Sequence, residues 1–77
     1  MELKIPKDKQ ITILDALIEQ AECDVFRLAL LINIVPETLS LNWKPPVGHS
    51  YPERDAGQLV YELERLKALK TRRDALQ

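Results

Sequence analysis

Asp24-Val-Phe-Arg-Leu-Ala-Leu-Leu-Ile-Asn-Ile-Val35 is the stretch on which the fold turns: after the opening aspartate only Arg27 and Asn33 interrupt its apolar side chains. The β-branched Ile32, Ile34 and Val35 would suit a buried strand, but the run outlasts the about four to eight residues of a usual strand and so predicts a helix. A helix that is apolar all round is normally the central element of a bundle, covered by neighbours on several sides. Phe26, Leu28 and Leu31 are therefore expected inside, together with Leu59 and Leu63 from later in the chain. Pro36 ends the run, and Pro36-Glu37-Thr38-Leu39 can open a short further helix with proline in its first turn.

Upstream, Ile11, Leu14, Leu17, Ile18 and Ala21 fall within about 120° of one another at 100° per residue, the width of a core-facing stripe. They predict an amphipathic helix over residues 8–21, started by Pro6 and capped by Asp8, whose carboxylate can accept bonds from first-turn amides. Asp15, Glu19 and Glu22 are spaced i, i+4 and i+7, which lines them along one acidic edge. Cys23 then lies at the junction of two helices, where a small buried thiol is the expected state rather than a reactive thiolate.

Downstream, residues 42–50 read as a loop, rich in proline and closed by Gly48. Trp43 is expected to plug one end of the bundle, the alternative being an exposed interface anchor. Ser50-Tyr-Pro-Glu53 matches a capping box. The helix it would open runs to about Leu69, with Ala56, Leu59, Val60, Leu63 and Leu66 on its apolar face. Arg54, Tyr61 and Arg65 lie opposite, with Arg72 on the same line if the helix continued, and Tyr61 is expected to be exposed. Leu69 and Leu76 leave that face, so a bend is expected near Lys70. The expectation is an all-α chain, a small bundle of four to six helices forming a single domain over residues 1–77 and compatible with being the N-terminal part of a larger protein.

Composition bounds what this domain can do. Its 77 residues are 45% hydrophobic and 30% charged, which suits one small folded domain rather than a disordered chain. One cysteine and one histidine provide neither an internal disulfide nor a zinc ligand set. The longest apolar run, 28–32, falls far short of a membrane span, and the N-terminus lacks an apolar signal stretch, so a cytoplasmic location is expected with no membrane partner. Ser40 and Ser50 lie outside any nucleophile elbow, His49 reads as a solvated loop residue before a general base, and there is no glycine-rich phosphate loop. The acidic edge reads as a solvated face rather than a cation site, since ligands should converge from several elements. No enzyme, cofactor or metal is expected.

Charge is distributed unevenly. Residues 1–38 carry four basic and seven acidic groups, whereas residues 39–77 carry seven basic and five acidic. Five basic residues and no acid lie between Arg65 and Arg73. Complementary patches on one molecule permit head-to-tail contact between copies.

The stretches Leu14-Asp-Ala-Leu-Ile-Glu-Gln-Ala21, Phe26-Arg-Leu-Ala-Leu-Leu31, Gln58-Leu-Val-Tyr-Glu-Leu-Glu-Arg-Leu66 and Arg73-Asp-Ala-Leu76 together resemble the effector-associated domains of bacterial conflict and immunity systems, adaptors of the death-like superfamily. The sequence departs from that pattern at Lys70-Thr71, where a glycine would stand, and in the proline-rich loop from Trp43 to Pro52. The resemblance implies a non-catalytic module of about six helices that binds a like helical domain, in itself or in another protein. It further implies recruitment of an effector enzyme or pore-former, by fusion or association. Asp15, Glu19 and Glu22 would form one contact surface, and Arg54, Tyr61, Arg65 and Arg72 the other. The alternative is a small nucleic-acid-binding or antitoxin-like protein using Arg65, Lys67, Lys70, Arg72 and Arg73 on phosphates; the acidic first half opposes it.

Overall fold

In a computed structural model of the chain, residues 4–76 are described. They form two long helices, α1 (Lys7–Leu31) and α2 (Glu53–Asp74), with a 3₁₀ turn (Pro36–Thr38) between them. Among the described residues there is no strand. The all-α expectation therefore stands, but the four to six helices do not: the described residues form a two-helix hairpin.

The stripe of the expected first helix continues without interruption into the apolar run, through Ile11, Leu14, Ile18, Ala21, Val25, Leu28 and Ile32 at alternating spacings of three and four. No glycine or proline stands at Glu22-Cys23 to break it, so 8–21 and 24–35 fuse into one helix. Cys23 is accordingly a mid-helix residue and is exposed, not a buried junction thiol.

α1 stops before Pro36 because Asn33 takes up the left-handed conformation, at φ 63°. The amide of Asn33 donates to the Leu30 carbonyl at 3.2 Å and that of Ile34 to Ala29 at 2.8 Å, the two bonds that close a helix by a Schellman turn. Asparagine tolerates this backbone better than most residues with a Cβ. Pro36 then opens the 3₁₀ turn as expected, which Thr38 closes by donating from its amide (3.0 Å) and Oγ1 (2.7 Å) to the Val35 carbonyl.

Both long helices begin on a proline, whose carbonyl accepts the first ladder bond: Gln10 to Pro6 and Ala56 to Pro52, each 2.9 Å. Neither start has a side-chain cap. Asp8 sits one residue inside α1, and Ser50 lies two before the Pro52 cap, out of reach of a capping box. Asp8, Glu53 and Asp55 instead place negative charge in first turns, where it complements the helix dipole. α2 runs on to Asp74 with no bend at Lys70, since the segment after Gly57 has neither glycine nor proline.

The core is one cluster: Ala21, Val25, Leu28 and Ile32 of α1 and its end against Leu59, Leu63 and Leu66 of α2. Ala29 and Ala56 are buried beside it. Leu59 is 0% exposed, and burying such a side chain is worth about 1.5–3 kcal/mol. With only one neighbouring helix, the far side of the apolar run stays uncovered. Phe26 is 50% exposed and Leu31 60%, so the expectation that both lie in the core is corrected.

Candidate functional site

The long connection is tied across the hairpin. Leu39, Leu41, Trp43 and Tyr51 pack half-buried on the core cluster, so Trp43 does serve as a partial plug. Trp43 meets Tyr51 with ring centres 6.1 Å apart, and His49 stacks on the same tyrosine at 5.5 Å. The Tyr51 amide donates to His49 Nδ1 at 3.1 Å. Lys44 Nζ reaches Glu64 at 3.0 Å and Lys67 Nζ donates to Asn42 Oδ1 at 2.8 Å, fastening the loop to α2.

The acidic edge of α1 is divided by the second helix. The Arg73 guanidinium donates to Asp15, and Lys70 lies 3.8 Å from Glu22, so two of the three carboxylates face α2 of the same chain. Asp15 holds the Arg73 guanidinium above its ordinary pKa, first through their hydrogen bond and then through charge attraction. Glu19 is exposed, beside Cys23 and Phe26. Among the described residues no group of histidine, cysteine and carboxylate side chains converges as a metal would require.

On α2, Arg54, Tyr61, Arg65 and Arg72 follow at spacings of seven, four and seven and share one face. Arg54, Arg72 and Tyr61 are exposed, Tyr61 at 60% as expected, while Arg65 is half-buried. Sequence reasoning missed what holds Arg65: Glu62, only 7% exposed, accepts from Arg65 at 3.5 Å and from Gln58 at 3.3 Å. Next to Arg72 the surface is shallow, a hollow of about 500 Å³ floored by Ala68, Thr71 and Ala75.

A second exposed region was also unforeseen. Phe26, Leu30 and Val35 stand out along one side of α1 and its exit, beside a groove of about 300 Å³ between the helices and the loop. No helix among the described residues is long and apolar enough to cross a membrane. Compared with family models, with curated proteins and with solved structures, the chain matches none.

Proposed function

We propose that this chain is a non-catalytic interaction module that associates with a like helical domain, and that the outer face of α2 is its charged contact. The observation that carries this reading is the strip Arg54, Tyr61 and Arg72: two arginines and an exposed aromatic ring on one rigid helix face, a residue set suited to an interface anchor. Its complement is an acidic edge such as the one that begins at Glu19. Asp15 and Glu22 belong to that edge too, but their exposed internal pairs must exchange before they can meet a partner, and exposed pairs exchange at little cost. Clustering of an attached or recruited effector, as the resemblance to effector-associated domains implies, is the consequence such association would have, acting by effective concentration without new chemistry.

The nucleic-acid alternative is disfavoured by where the basic cluster goes. Arg65, Lys67, Lys70 and Arg73 each have a partner within the chain, which leaves Arg72 as the member without one among the described residues. A phosphate backbone approaching Lys70 and Arg73 would also meet their partners Glu22 and Asp15, whose negative charge repels it.

Light scattering over a concentration series at low salt tests the reading. The parent should show a salt-sensitive association, and both Arg54→Glu with Arg72→Glu and the single Glu19→Arg should remove that salt-sensitive part, since neither change touches an internal pair. An equimolar mixture of the two should regain a salt-sensitive contact between the variants, because each retains one native strip. A parent that stays monomeric, and also fails to bind a like domain presenting an acidic helix edge, overturns the proposal.

A further inference from the structure

We infer that two copies of this chain pair about a two-fold axis through the Phe26 side of α1, the ring of each copy entering the apolar groove of the other. This goes beyond the charged contact proposed above, lying on a different face and needing neither strip.

Phe26 is a ridge between hollows. On one side lies the groove lined by Val25, Leu39, Leu41, Leu63 and Leu66, with Phe26 itself as its outer wall. On the other, the surface dips toward Leu30, Val35 and Pro36. A knob immediately beside a hole, on one face, is self-complementary under a two-fold rotation: what each copy projects, the other accepts. The groove, about 300 Å³, has the volume of about ten waters and accommodates a phenyl ring. Its polar end is the Glu22–Lys70 pair, neutral as a unit, so closing the dimer brings no unpaired charge onto the apolar centre. Glu19 and Glu37 flank the region at the ends of the outer hollows and provide a polar rim.

Surface area points to a second copy as the occupant. The chain exposes 5824 Å² at 8.9 kDa, where a compact monomer of that mass exposes about 4800 Å². The excess, about 1000 Å², follows from an elongated hairpin of 46 × 23 × 18 Å and leaves room for the roughly 800 Å² that each partner buries in a stable interface. Of the exposed apolar side chains of α1 and its exit, Phe26, Leu30 and Val35 border the groove or the adjoining hollow, whereas Ile13 and Leu31 stand elsewhere on the helix.

The test is sedimentation equilibrium of the full chain at high salt, where contacts between charged strips are screened. The parent should form a closed dimer whose dissociation constant is insensitive to added salt. Phe26→Ala should weaken it about thirtyfold, as loss of a central aromatic anchor does. Leu30→Glu should abolish it. Because both side chains are half-exposed, circular dichroism should show both variants folded. Arg54→Glu with Arg72→Glu should leave this dimer intact, which separates it from the charged contact. Cys23, one turn from Phe26, gives an independent readout: its alkylation by iodoacetamide should slow as parent concentration rises, and in Phe26→Ala should slow only at about thirtyfold higher concentration. A monomer at millimolar concentration, a Phe26→Ala variant that dimerises like the parent, or an association lost in high salt overturns the inference.

Discussion

The two ends of the hairpin are held by different physics. At the loop end, residues 21–32 of α1 and its exit meet residues 56–66 of α2 through buried aliphatic side chains, and residues 39–51 fold over the seam. At the other end none of residues 4–20 and none of residues 67–76 is buried, and the helices are joined at the surface by Asp15 to Arg73, with Glu22 to Lys70 at the border between the two ends. Ile11, Leu14, Leu17 and Ile18 are only half-covered there. The comparison teaches that an unbroken helix is not uniformly anchored: α1 is continuous from Lys7, but its tertiary support begins near Ala21.

Breaking the strong end should have the largest effect. Leu59→Ala, at a fully buried site, should cost about 2–5 kcal/mol in urea denaturation, whereas Leu14→Ala in the half-covered end should cost about 1 kcal/mol or less. Equal losses at the two positions would erase the distinction between the ends.

The glycines sharpen the same contrast through the backbone. Gly48 has φ 78° in the turn that His49 closes onto the Pro46 carbonyl, a conformation costing an L side chain about 1–2 kcal/mol. Gly57 lies inside α2 with open space where a Cβ would stand, and alanine there gains about 1 kcal/mol of helix propensity. Gly48→Ala should therefore lower the thermal midpoint and Gly57→Ala raise it, and two shifts of one sign would contradict the assigned backbones.

The smallest effect is expected from the weak end. Asp15→Asn should move the denaturation midpoint little, because a surface ion pair contributes little and salt screens it. Amide exchange should show the difference instead, with residues 8–20 exchanging faster than 21–31, and faster still in Asp15→Asn. Uniform protection along α1 would show that the helix opens only as a whole.

Much of this was legible in the residues, and the misses have identifiable causes. The apolar positions Ala56, Leu59, Leu63 and Leu66, the 3₁₀ turn at Pro36 and the exposure of Tyr61 follow from periodicity and proline alone. The exposure of Phe26 and Leu31 did not, because an all-round apolar helix implies several neighbours and a single chain need not supply them. Asn33 looked like an interruption in a run that Pro36 ended; its capacity for a positive φ made it the actual stop. The division of the acidic edge had a readable signal. Lys70 and Arg73 continue the spacing of Leu59, Leu63 and Leu66, while Asp15 and Glu22 directly follow Leu14 and Ala21 on α1, so an antiparallel seam brings opposite charges together. Tyr61 and the arginines around it are placed by helix spacing, but the buried Glu62 that steadies Arg65 could not be told from any solvent-facing glutamate.

The turn at Val47-Gly48 has a practical consequence. Val47 is fully exposed, and the turn lies in the connection between α1 and α2, outside both long helices. Such a tip tolerates inserted residues because no packed side chain depends on its path. It is a natural place to graft an epitope, a spectroscopic label or a cleavage sequence, and a cut made there would leave each long helix whole on its own fragment, so that complementation between two half-chains becomes measurable.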